Sequence, residues 1–288
     1  MSAAQAGHDP AADAAAAWSA LLDAASAPYR GAGRFAYHFA RGKLSHDPVF
    51  RSLLERGLLG AGTRTVVDIG CGQGLMASLL QACGAAFARG LWPAAWPALP
   101  QLHAYHGIEL MARDVARAQA AQTARAAQSS PAAPAASGAP GPGLPMPQFT
   151  CADMRAAALP PCDLVIILDV LHYVDHEAQQ ALLARVRDAL RAGTGASPRR
   201  LLLRVGDAAS RRGFAASQWV DRIVTGLRGH RVPPTWGRTV AQWTHLLASL
   251  GFEVEPLPMS EGTPFANVLL VADLASAASG GPAVESGR

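Results

Sequence analysis

Lysine is almost missing from this chain: Lys43 is the single one among 25 basic residues, and the arginines are scattered between alanines. Long Lys/Arg blocks, the footprint of a protein that grips a phosphate backbone, are absent. The net charge of +4 therefore does not read as nucleic-acid binding. No stretch approaches the roughly 20 apolar residues that span a bilayer, and the longest strongly apolar run, Leu164 to Leu168, stops at Asp169. The four cysteines (Cys71, Cys83, Cys151, Cys162) show neither CxxC nor Cys/His ligand spacing, so no metal site is expected. The N-terminus lacks the basic start and apolar core of a secretory signal, so a cytoplasmic location and free thiols are expected.

With 50% hydrophobic and 16% charged residues over 288 positions, the chain reads as globular, with ample length for a sizeable core. Residues 1–13 read as a flexible tail, 14–59 as an N-terminal helical cap, 60–274 as one α/β domain and 275–288 as a second tail. In the cap, helices are expected at 14–26 and 46–58, the second from the recurrence of Val49, Phe50, Leu53, Leu54 and Leu58. Between them runs an aromatic and basic stretch from Tyr29 to His38, broken by glycine.

The domain alternates strands and helices. Strands are expected at 65–69, about 103–108, 148–151, 163–168 and 201–205, with helices after Gly74, at about 111–127 and around Leu182–Leu190. Residues 84–101 read as a Pro/Trp-rich insertion and 129–147 as a low-complexity surface loop. Helices at about 214–227 and 239–250 and a strand pair at 252–257 and 266–272 complete the chain. This order predicts a Rossmann-like, seven-stranded, mostly parallel sheet covered on both faces.

The most informative segment is Val66-Val67-Asp68-Ile69-Gly70-Cys71-Gly72-Gln73-Gly74, an apolar strand running into Gly-x-Gly-x-Gly and a helix. Glycines there let the main chain turn tightly and approach a ligand where any Cβ would collide. Dinucleotide sites use G-x-G-x-x-G/A, whose third glycine would fall at Leu75; here it comes one residue early, at Gly74. Asp68, just before the turn, would repel a pyrophosphate but suits a cationic amino-acid group. The second strand ends at Glu109, an acid able to accept from both hydroxyls of a ribose. It lies 109 − 74 = 35 residues past Gly74, an excess over the usual ~20 that the Trp/Pro insertion explains. After the third strand comes Asp153-Met154, a carboxylate and an apolar neighbour suited to adenine.

These motifs resemble class I S-adenosylmethionine-dependent methyltransferases over about residues 60–272. The resemblance implies S-adenosylmethionine as cofactor, with Asp68, Gly70, Cys71, Gly72 and Gly74 at its methionine end. Glu109 would bind the ribose, Leu110 and Met111 would flank the adenine together with Asp153 and Met154, and the terminal strand pair would be the family's reversed hairpin. The segment past the fourth strand faces the transferred methyl in this family, which makes Asp169, His172 and Tyr173 candidates for the reacting pocket. His172 could serve as general base, or simply bond to the backbone while Tyr173 packs.

Arg204 and Asp207, at the end of the fifth strand, either bind an acidic substrate group or pair with each other, the pairing being favoured. Tyr37 in the cap and Glu261 at the hairpin turn are further candidates to shape an acceptor site. The basic set Arg211, Arg212, Arg222, Arg228, His230 and Arg231 reads as a solvated face before it reads as a docking surface. A narrower resemblance links this chain to the small methyltransferases of bacterial aryl polyene (xanthomonadin-type) pigment pathways. It rests on Arg41-Gly42-Lys43-Leu44, Asp47-Pro48-Val49-Phe50, Ile167–Tyr173, Arg204–Asp207 and Met259–Asn267. It implies O- or C-methylation of an aromatic or polyenoyl small-molecule acceptor and an acyl carrier protein as partner. The rival readings are a non-catalytic S-adenosylmethionine-binding protein and an NAD-dependent oxidoreductase.

Overall fold

The computed structural model describes residues 10–128, 144–195, 198–207, 236–260 and 267–275. Its sheet has seven strands: β1 Thr65–Ile69, β2 Ala104–Glu109, β3 Gln148–Cys151, β4 Leu164–Leu168, β5 Arg200–Gly206, β6 Phe252–Pro258 and β7 Asn267–Leu274. Their spatial order is β3-β2-β1-β4-β5-β7-β6. The first five strands pair in parallel, and β7 enters antiparallel between β5 and β6. This is the sheet expected from the sequence, reversed hairpin included.

The central strands are apolar because helices cover both of their faces. Leu164, Val165, Ile166, Ile167, Leu201, Leu202 and Leu203 are completely buried. Eight helical segments flank the sheet among the described residues. They are α1 Pro10–Ser26, a 3-10 turn Ala27–Arg30, α2 Arg34–His46, α3 Pro48–Glu55, α4 Leu75–Ala88, α5 Ala112–Gln128, α6 His176–Arg191 and α7 Val240–Ser249; a second, three-residue 3-10 turn spans Leu171–Tyr173. One core unites Trp18, Leu21, Leu44 and Leu53 of the cap with Leu79 of α4 and Ile166 of the sheet. The opposite core packs Leu182, Val186, Trp243 and Leu247 on Val165, Ile167 and Leu203.

Several expected boundaries move, each for a local reason. Residues 10–13, expected in the tail, form the first turn of α1. Helix α3 starts at Pro48, not 46, because Asp47 is its N-cap and accepts from the Val49 N–H at 3.1 Å. Residues 84–88 belong to α4, so the Trp/Pro segment begins only after Ala88. The expected helix at 214–227, the basic set from Arg211 to Arg231, Glu261, and most of the 129–147 loop and both tails lie outside the described residues. Among the described residues no helix is long and apolar enough to cross a membrane, and no cluster of three ligating side chains could hold a metal ion.

The strand order reverses between β1 and β4, with β2 and β3 on one side and β5 on the other. Open α/β sheets bind ligands in the crevice at such a point, outside the carboxyl ends of the strands.

Candidate active site

β1 delivers Asp68 and then the glycine turn to that crevice. Gly70, Gly72 and Gly74 all take left-handed φ values, 75°, 56° and 72°, a region open to glycine at no steric cost. At Gly70 and Gly74 space adds a second demand. A Cβ would sit 2.5 Å from Val170 Cγ1 at Gly70 and 2.7 Å from Phe149 Cζ at Gly74. At Gly72 a Cβ would meet nothing within 4 Å, so the turn presents bare backbone there. The turn hangs from β2, whose Ile108 carbonyl accepts from the N–H groups of Gly70 and Cys71 at 2.8 and 3.2 Å.

Glu109, at the tip of β2, accepts from the Gly72 N–H and the Met111 N–H, both at 2.9 Å. One carboxylate thus ties the glycine turn to the start of α5. Leu110 beside it is 62% exposed, an apolar side chain left uncovered at the crevice. Asp68 is buried and accepts a short hydrogen bond from the Tyr105 hydroxyl. Burial pushes its carboxyl up to about 7; the Tyr105 hydrogen bond works against this and the charge of Glu109 adds to it. The buried Tyr105 hydroxyl is itself held well above its ordinary range, so it stays a donor.

Asp153 and Met154 follow β3. The Asp153 carboxylate accepts from the Arg155 N–H at 2.8 Å and from its guanidinium at 2.6 Å, and these hydrogen bonds hold it below the usual carboxylate range. The Met154 side chain packs on the second core, and its carbonyl accepts from the Arg185 guanidinium, which braces this turn from α6.

Past β4, Asp169 is the only non-glycine residue with positive φ among the described residues, at 61°. A short 3-10 turn, Leu171–Tyr173, follows, with the His172 and Tyr173 rings 4.1 Å apart between centroids. The His172 carbonyl accepts from the Trp236 N–H at 2.8 Å.

One expectation is corrected here. Arg204 does not take Asp207 as its carboxylate partner; it is 2% exposed and forks onto Asp47 and Asp169 instead. The side chain of β5 residue 204 projects to the cap side of the sheet, where those two acids converge. Asp207 accepts from the Val240 N–H at 3.4 Å, at the start of α7.

Within the cap, the Tyr37 hydroxyl on α2 accepts from the Arg30 guanidinium at 3.3 Å and so stays with the cap. The aromatic residue that reaches the glycine turn is Tyr29, wholly buried, which donates to the Gln73 carbonyl at 2.7 Å. Asp47 and Lys43 were missed as site residues. Their i,i+4 spacing and the Asp-Pro cap signal were visible, but Arg204, the partner of Asp47, is 157 residues away in sequence. Asp163, an acid at the opposite end of the strands, binds the N–H groups of Arg64, Thr65 and Gly195.

Residues 38–257 match the methyltransferase domain family. The chain belongs to that family. The methyltransferase uses S-adenosylmethionine as its cofactor. No match is found among curated proteins.

Among solved structures, an O-methyltransferase family protein from Burkholderia thailandensis superposes with a TM-score of 0.53 at 15% identity, covering 86% of this chain and 62% of that one. The pyocyanin biosynthetic protein PhzM gives 0.51 at 18% identity, covering 82% and 57%. A putative methyltransferase complexed with the Trm112 activator, from Haloferax volcanii, gives 0.51 at 12%, covering 83% and 93%. This chain thus spans about six tenths of the first two. At these identities the likeness is one of fold.

The residues at the strand tips fit the cofactor. The bare turn at Gly72, the buried acid at Asp68 and the acid Glu109 with its uncovered neighbour Leu110 are groups that could hold an ammonium group, a ribose and a flat base.

Proposed function

We propose that this methyltransferase acts on a small-molecule acceptor, by O- or C-methylation, at the crevice between β1 and β4. Asp68 and the backbone of Gly70, Cys71, Gly72 and Gly74 hold the methionine end of the cofactor. Glu109 takes the ribose, while Leu110, Met111, Asp153 and Met154 border the adenine, Asp153 sharing its carboxylate with the exposed Arg155. The observation that carries this reading is the Glu109 carboxylate bonded to the Gly72 N–H, which puts the ribose acid and the bare turn side by side.

When bound, the cofactor supplies an electrophilic methyl group on a sulfonium. The chain's part is to align the acceptor and exclude water, since positioning accounts for much of the acceleration of such a displacement. The segment Asp169–Tyr173 stands at the β4 tip, next to the glycine turn through the Val170–Gly70 contact. His172 is the group assigned to take the acceptor proton, with Tyr173 against it. Asp169 is committed to Arg204, so it shapes this pocket and the cofactor's edge rather than moving a proton itself. Arg204 likewise acts through Asp169.

Residues 14–59 act as a cap over the 60–274 domain. The Ser78 hydroxyl donates to the Ala25 carbonyl at 2.7 Å and Arg125 donates to the Ala24 carbonyl at 3.0 Å, fastening α1 beside the glycine turn. The sequence likeness to pigment-pathway enzymes favours an aromatic or polyenoyl acceptor, in cytoplasmic secondary metabolism, with an acyl carrier protein as its vehicle. Incubating the full chain with methyl-labelled cofactor, then with aromatic and polyenoic acids offered free and carrier-bound, tests the reading. Label transferred to such a small molecule supports it. Binding of the cofactor without transfer to any of them, or transfer to the side chains of a protein or to a nucleic acid, refutes it.

A further inference from the structure

Four charged side chains from three separate parts of the chain meet above β4 and β5. Arg204 of β5 is 2% exposed and directs Nε and Nη2 at the two oxygens of Asp169, and Nη1 and Nη2 at the two oxygens of Asp47. Lys43 adds a second cation, 2.8 Å from Asp47 and 3.8 Å from Asp169. Two positive and two negative groups balance. A planar guanidinium held on two edges fixes both carboxylates in orientation as well as distance, which a lysine could not do.

Asp169 carries the strained backbone of this site. A left-handed conformation at a non-glycine residue costs about 1 kcal/mol or more and persists only where its surroundings over-determine it. Here both constraints come from one residue. The Asp169 N–H donates to the Arg204 carbonyl at 3.2 Å, and the Asp169 carboxylate receives the Arg204 guanidinium. Everything downstream depends on that bend. Val170 next packs on Gly70, then the Tyr173 N–H closes onto the Val170 carbonyl at 3.2 Å.

We propose that Arg204 and Asp47 are a positioning pair: together they lock the bend at Asp169 and so set where Val170, His172 and Tyr173 stand, with α2 and α3 docked on the same ions. This rests on the acceptor-side reading given above only for what the segment does, not for how it is held. Fold glue alone is a poor account of the cluster. Buried ion pairs contribute little net stability against well-packed apolar residues of the same size.

The test is hydrogen–deuterium exchange on the full chain, comparing wild type with Asp47→Asn. Asparagine still caps a helix, so α3 keeps its start while the ionic partner is lost. Exchange of the amides of 169–174 is expected to rise at least tenfold. Those of β1, which follow global stability, should rise at least tenfold less than those of 169–174. Asp47→Glu, which restores the charge, should recover most of the protection.

Unchanged exchange at 169–174 in folded Asp47→Asn overturns the proposal. So does an even rise across β1 and β5, which would make the pair a device of global stability. A second variant, Asp169→Gly, relieves the strain and removes the carboxylate at once. It should loosen 169–174 as far as Asp47→Asn does, and the double variant should loosen it no further; additive effects contradict the linkage. Failure of wild type to bind S-adenosylhomocysteine would sink the cofactor reading and leave the exchange comparison standing.

Discussion

The buried Asp68 makes a quantitative prediction about cofactor binding. Its carboxyl is pushed up to about 7, chiefly by burial. A cation placed beside it favours the ionised form, so binding the ammonium end of the cofactor requires losing the proton. Below about pH 7 the affinity should therefore drop by about tenfold for each pH unit, since each unit corresponds to about 1.4 kcal/mol. At pH 5 only about one molecule in a hundred has Asp68 ionised, and the dissociation constant should be about a hundredfold weaker than at pH 8. Calorimetric titration with S-adenosylhomocysteine at pH 5, 6, 7 and 8 measures this. Repeating the pH 6 titration in buffers of different ionisation enthalpy should detect the release of about one proton. Asp68→Asn should bind weakly and lose the pH dependence. A flat affinity profile in the wild type, or the same slope in Asp68→Asn, would refute the reasoning.

The same group fixes the sign of a stability effect. Its folded pKa lies above the unfolded carboxylate value of about 3.9, so the folded chain holds a proton that the unfolded chain has lost. The contribution of Asp68 to stability is greatest below about pH 4, declines as pH rises to about 7 and is constant above that; urea unfolding of the Asp68→Asn variant should lack that decline. Asp47 works in the opposite direction: Arg204 and Lys43 hold it well below the usual range, so its contribution is full above about pH 4 and is lost on further acidification. Arg204→Met should cost about 2–4 kcal/mol in denaturant unfolding, because it leaves the largely buried Asp47 facing the half-buried Asp169 with only Lys43 to offset them; a loss under 1 kcal/mol would contradict the network. Glu109→Gln should weaken S-adenosylhomocysteine by roughly ten- to hundredfold, the range for a hydrogen bond to a charged group; unchanged binding would remove Glu109 from the site. With an acceptor in hand, His172→Ala should lower kcat by about a hundredfold or more if the imidazole takes the proton. A kcat within threefold of wild type would show that no base is needed there.

The fold was legible because its signals are local. The apolar runs Val66–Ile69 and Leu164–Leu168 announced buried parallel strands, and the early glycine at position 74 separated this turn from the dinucleotide pattern. Glu109 could be located as a strand-tip acid, and it stands against the glycine turn. What the sequence hid was long-range pairing. Arg204 and Asp207 lie three residues apart, which made their pairing attractive. The strand pleat and the incoming cap instead give Arg204 to Asp47, a residue whose sequence neighbourhood says only that a helix begins. Tyr37 and Tyr29 were indistinguishable as members of one aromatic stretch. Only the fold of the 3-10 turn, which buries Tyr29 against Gln73 and leaves Tyr37 with Arg30, tells them apart.

The most direct measurement of the central claim is a crystal structure of the chain with S-adenosylhomocysteine. The nucleoside should lie across the bare backbone at Gly72, its ribose hydroxyls on Glu109 and its ammonium group within reach of Asp68. Density for the nucleoside anywhere other than the β1 and β2 tips, or saturating ligand with none bound, would contradict it.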